Sequence, residues 1–168
     1  MAIQEWALIL TVGMPFLCVL AILLSRNHPD AREAASLITA ILTFLLTALT
    51  LPSAFATIPA STLVFVIYPG FGFQFTADAL GLLFAAIASL LWVITTVYNI
   101  GYMRGHKEHA QTRYYACFAI VIGAVMGVAL SSNLFSMFVF YEILTIATYP
   151  LVVHRETGDA LAAGLKYL

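Results

Sequence analysis

Glu142 is the only Asp, Glu, Lys or Arg between Tyr114 and His154, in a stretch that is otherwise apolar, aromatic or small and polar. An ionised acid at the centre of an apolar helix costs about 2.5–3.5 kcal/mol on insertion scales, so such groups face protein or a water cavity. Burial penalises the charged form of a carboxyl and a neighbouring cation favours it. A carboxyl held between those two effects can load and release a proton. The plainer role is packing glue, a carboxyl hydrogen-bonded to the next helix. At 100° per residue, Thr145 lies about 60° from Glu142 and Tyr149 about 20° from it, so the three share one polar stripe. Pro150 removes a donor and frees the carbonyl of Ile146 for a water or a side chain. Lys166 is the second candidate, able to pair with Glu142 or to relay protons itself. Snorkelling to the surface is its plainer role.

The other chemistry-bearing residues read as structural. Asp78 sits at the N-terminus of an apolar span beginning at about residue 78, where it would cap the helix alongside Thr76 by accepting backbone N–H groups. His28, His106, His109 and His154 fall in or beside the basic loops, and none has ligand spacing to a cysteine or acid. No metal motif, phosphate loop, nucleophile elbow or iron–sulfur pattern is present, so no cofactor and no catalytic site are expected. Cys18 and Cys117 lie in apolar runs and build no disulfide framework.

The elements that position these residues are membrane helices. Apolar residues make up 62% of the 168 and charged residues 9%, against about 45–50% and about 25% in soluble proteins. A net charge of −1 provides no basic field for nucleic acid. Charged positions divide the chain into uncharged blocks of spanning length. The expected fold is all-α and transmembrane, with complete spans at about 6–25, 34–54, 78–100, 114–131 and 133–154 and the beginning of a sixth over 159–168. The last two complete spans are joined at Ser131-Ser132-Asn133, three turn-forming residues. The partial helix is too short to cross lipid, so the chain reads as a fragment of a longer protein. The first block lacks a basic leader and a small-x-small site, which argues for a span over a signal peptide.

Between the second and third spans the helical pattern breaks. Leu63 to Ile67 is β-branched and aromatic, Tyr68-Pro69-Gly70 marks a turn, and Phe71, Phe73 and Phe75 then alternate with Gly72, Gln74 and Thr76. This period of two predicts a β-hairpin on the outer face; an interfacial aromatic loop would have the same composition. Arg26, Arg32, Arg104, Lys107, Arg113 and Arg155 fall in alternate connections, and the remaining connections carry no Lys or Arg. That asymmetry predicts an N-terminus outside and basic loops in the cytoplasm.

Several stretches together resemble a known family. Phe73-Gln-Phe-Thr-Ala-Asp78, Val97-Tyr98-Asn-Ile-Gly-Tyr102, and Phe140-Tyr141-Glu142-Ile-Leu-Thr145 with Thr148-Tyr149-Pro-Leu-Val-Val-His154 resemble the antiporter-like subunits. These are shared by respiratory complex I, membrane-bound hydrogenases and Mrp-type cation/proton antiporters, and the residue pattern is most similar to the D-type component of the Mrp-type group. Ala163-Gly-Leu-Lys166 resembles the start of the family's sixth helix. The resemblance implies the front part of a proton-conducting subunit in the bacterial inner membrane, built of inverted helical repeats. It implies partner membrane subunits and exchange of protons against Na⁺ or K⁺. Glu142 matches the family's fifth-helix glutamate, whose lysine partner lies on a seventh helix. The alternatives are a proton-pumping arm of an NADH:quinone oxidoreductase or hydrogenase, with redox chemistry in partner subunits, and a structural membrane subunit that transports nothing.

Overall fold

In the computed structural model, residues 2–56, 59–68 and 71–167 are described. Among these residues, five helices are long and apolar enough to cross a membrane: α1 (Ala2–Leu24), α2 (Pro29–Thr50), α3 (Ala79–Gly105), α4 (Gln111–Leu130) and α5 (Leu134–Val152). A short 3₁₀ turn, Leu51–Phe55, prolongs α2. Four helices run beyond the expected spans: α1 begins at Ala2 instead of 6, α2 at Pro29 instead of 34 and α4 at Gln111 instead of 114, and α3 continues to Gly105 instead of 100. The extensions of α2 and α3 draw charged residues into helices, because those charges find partners across the bundle. A last helix, α6 (Gly158–Tyr167), packs on α5.

The hairpin forms: β1 (Ser61–Tyr68) pairs antiparallel with β2 (Phe71–Thr76). The Pro69-Gly70 part of the expected turn lies outside the described residues. The hairpin sits at the end of the bundle that holds the α4–α5 turn and is bonded to it. Ser132 N–H donates to the Gln74 carbonyl at 3.0 Å, and Asn133 Nδ2 donates to the Gly72 carbonyl at 2.9 Å. Asn133 also caps α5, accepting from Ser136 N–H at 2.7 Å. Asp78 caps α3 as its position predicts, accepting from Gly81 N–H at 3.2 Å.

Helices in lipid gain little from hydrophobic burial, so close backbone approach and van der Waals fit hold them together. The contacts follow that rule. Gly81 of α3 lies so near the Ala129 carbonyl of α4 that a Cβ there would collide with it, and Gly127 of α4 lies directly beneath the Phe140 ring of α5. The polar residues of α2 and the turn after it form a buried stripe, Ser36, Thr39, Thr43, Thr47, Thr50 and Ser53. Most of these hydroxyls donate to a carbonyl about one turn back, Thr39 to Ala35 and Thr47 to Thr43 at 2.8 Å each. Back-bonding of this kind satisfies them without a partner helix.

Candidate functional site

The orientation of α5 decides what Glu142 can do. Ser136, Phe140 and Ala147 are its buried residues. Phe140 is boxed by Phe16, Phe73 and Phe75, with ring centroids 6.3, 5.9 and 5.7 Å away. Ser136 Oγ donates to the Gly72 carbonyl at 3.1 Å. These contacts lock one face of α5 onto α4, α1 and the hairpin. Glu142 stands two residues beyond Phe140, about 160° around the helix, so it points away from α4. It is exposed and has no hydrogen bond or ion pair among the described residues.

Thr145 and Tyr149 are half-buried on the same side. The Thr145 hydroxyl donates back to the Tyr141 carbonyl at 3.1 Å. The helix continues through Pro150 to Val152. α6 docks on this side near its lower end: a Cβ on Gly164 would meet Val153 and Tyr149, and the Tyr167 and Thr148 hydroxyls lie 2.9 Å apart. Lys166 is exposed and forms no ion pair with Glu142 among the described residues. Thr148 is six residues from Glu142, about 9 Å along the axis at 1.5 Å per residue. α6 therefore reaches the foot of the stripe, and the carboxyl stands above it.

At the end of the bundle that carries the basic loops, the structure departs from the sequence reading. Arg32, expected in a solvated loop, is 4% exposed, and its neighbour Glu33 is 3% exposed. Arg32 donates to Thr112 Oγ1 at 3.0 Å and Gln111 Oε1 at 2.6 Å, and its guanidinium stacks 5.3 Å over the Tyr115 ring. Glu33 Oε2 accepts from Arg104 Nε at 2.9 Å, and Arg104 also pairs with Asp30. This network ties α2, α3 and α4 together. Buried charges demand such partners, and each of these bonds joins residues far apart in sequence.

Among the histidines, His28, His106 and His109 are exposed as expected and His154 is not. His154 is half-buried, its ring stacked 5.0 Å from His109 and edge-on to Tyr114 at 5.5 Å. Burial, then His109 and Arg113, pull His154 below the ordinary imidazole range. Nearby, the hydrogen bond and charge of Arg113 hold Glu156 below the usual carboxylate range.

No protein-family model matches the chain. It is 28% identical over 162 residues to a Staphylococcus epidermidis protein named as antiporter subunit mnhD2. It is 31% identical over 164 residues to the protein of the same name from Staphylococcus aureus strain JH9. The chain is a homologue of these antiporter subunits. Each alignment covers 96% of this chain and 32% of the relative, so the chain spans about a third of their length. Its fold matches a chain in the structure of the membrane-bound sulfane sulfur reductase, an archaeal respiratory membrane complex, with a TM-score of 0.83, 19% identity, 95% of this chain covered and 33% of that one. Five spanning helices and this homology make the chain an integral membrane protein.

Proposed function

We propose that the chain is part of a proton-translocating subunit of a multisubunit cation/proton antiporter, with Glu142 as a midmembrane proton-carrying group. The observation that carries this reading is the placement of Glu142: central in a spanning helix, turned from the packed face and unpartnered among the described residues. A carboxyl left so in hydrocarbon is costly, so its stripe is a surface for further helices or partner subunits that complete a polar path. Tyr149 and Thr145 form the lower part of that path. α6 runs antiparallel up the same side, which directs any continuation of it past Glu142, and Lys166 supplies a cation at the path's inner end. Protons and Na⁺ or K⁺ are the proposed cargo, by extension from the relatives named as antiporter subunits.

The excess of Arg and Lys at one end of the bundle supports an N-terminus outside the bacterial inner membrane. The hairpin, at the opposite end, is then on the outer face.

The test is Glu142→Gln in the full-length subunit within its assembled complex. Gln keeps the shape and most of the hydrogen bonding but cannot ionise. Loss of cation-dependent proton movement in everted vesicles, with normal assembly, is the expected result. Unchanged transport would reduce Glu142 to packing glue. A second reading, a membrane arm driven by redox chemistry in partner subunits, draws on the fold shared with the respiratory complex. Co-purification with cation-antiporter subunits or with redox subunits separates the two.

A further inference from the structure

We propose that Glu108, His109 and His154 form a site for a divalent transition-metal ion of the zinc class, joining the α3–α4 loop to the end of α5. Their donor atoms lie within 4.8 Å of one another, with His109 Nδ1 4.0 Å from Glu108 Oε2. Ligand atoms on one tetrahedral zinc ion, at about 2.0–2.2 Å from the metal, stand roughly 3.3 Å apart. Closing the three donors onto an ion therefore takes shifts of about 1 Å at the donor atoms, together with a turn of one of the two stacked imidazoles so that both in-plane lone pairs meet the ion. Two imidazoles and one carboxylate, with a fourth position left for water, suit zinc and its neighbours in the first transition row, and are too nitrogen-rich for Mg²⁺ or Ca²⁺.

A second observation points to the same place. Both ring nitrogens of His154 are closed off from solvent, and among the described residues neither has a hydrogen-bond partner. An imidazole with two unpaired nitrogens is costly to bury, and a metal bond to one of them removes part of that cost. Glu108 and His154 also line one cavity of about 460 Å³ that includes Tyr102 and Tyr114, which gives an ion a way in. Two cations oppose an ion here: Arg113, whose guanidinium is already paired with Glu156 and donates to the His154 carbonyl, and Arg155, which lines the same cavity. A metal here would fix the end of the helix that carries Glu142 against the loop between α3 and α4. It is a different place from the proposed proton path, and its test is independent of transport.

The test titrates the purified full-length protein in detergent with Zn²⁺ against a chromophoric chelator. One tightly bound Zn²⁺ per chain is expected, with an X-ray absorption edge showing nitrogen and oxygen ligands at about 2.0–2.2 Å and no sulfur. His109→Ala should weaken binding by at least about tenfold, the lower end of what even outer-shell changes cost. His109 is exposed, so that variant keeps the fold. Glu108→Gln should weaken binding as well, and His106→Ala, an exposed histidine outside the cluster, should bind like the wild type. Absence of binding at micromolar Zn²⁺, sulfur ligation, or equal affinity in His109→Ala would overturn the assignment.

Discussion

Substituting Gly127 by Ala probes the joint that orients Glu142. The added methyl would stand where the Phe140 ring now lies. Phe16, Phe73 and Phe75 flank that ring at centroid distances of 5.7–6.3 Å, and the four rings also line a cavity of about 380 Å³, so the ring can give way only by breaking contact with its neighbours. An extra methyl that forces packed side chains to shift costs about 1–3 kcal/mol, a factor of about 5 to 150 in the folded population at 1.4 kcal/mol per decade, and the cavity places the expected cost toward the lower end. In lipid this cost is a packing cost, since the unpacked helix stays in an apolar solvent. Phe140→Leu removes the ring and leaves space for the methyl, so the double variant should be more stable than the sum of the single losses predicts. A coupling of about 0.5–3 kcal/mol is expected for groups in direct contact. The assay is equilibrium unfolding of the full-length protein in mixed micelles of rising SDS fraction, followed by tryptophan fluorescence. Gly127→Ala as stable as the wild type, or strictly additive losses, would refute the claim that this contact sets the position of α5. Because Glu142 follows Phe140 by two residues, Gly127→Ala should also lower transport at unchanged subunit content.

Lys166→Met, which keeps the length of the side chain and removes its charge, should lower proton movement less than Glu142→Gln; an equal or larger loss would make Lys166 the principal carrier. Asn133→Ala removes the cap of α5 together with its bond to the Gly72 carbonyl, at about 0.5–2 kcal/mol for the cap alone, and faster amide exchange in both the hairpin and the first turn of α5 checks it. With a chelator present, acidification should loosen the joint at residues 153–158. The His154 imidazole is neutral-favoured when folded, so its contribution is present above about pH 6.5 and falls away below it, as the unfolded chain takes up the proton first. Glu156, with its folded value depressed, contributes above about pH 4.3 and loses that contribution as pH drops further. Both act in one direction, and hydrogen exchange of those amides at about pH 7.5 against about pH 5 and about pH 3.5, which bracket the two ordinary values, reads it; protection that rises with acid would contradict the assignment.

Much of the fold was legible because lipid imposes simple constraints. Uncharged blocks of about 20 residues mark spans, Asp78 stands where a cap belongs, Ser131-Ser132-Asn133 where a turn does, and the alternating phenylalanines of 71–76 announce a strand. The central carboxyl, Glu142, was legible for the same reason: a charge in such a block is conspicuous. What pairs with what was hidden. Arg32 and Glu33 looked like loop charges because Gln111, Thr112 and Arg104, which make their burial tolerable, are distant in sequence, 71 to 80 residues away. His109 and His154 looked like separate loop histidines, and they meet only because α4 and α5 form an antiparallel pair that brings their loop ends together. The side of α5 that Glu142 occupies depended on a glycine, Gly127, whose role is visible only once Phe140 is seen above it.

The most direct test of the central claim is infrared difference spectroscopy on the assembled complex during a transport cycle. The carbonyl stretch of a protonated carboxyl belonging to Glu142, identified by its disappearance in Glu142→Gln, should appear and vanish as protons cross. A Glu142 band that stays constant while transport proceeds, or a cycle whose carboxyl signals are all retained in Glu142→Gln, would contradict the account.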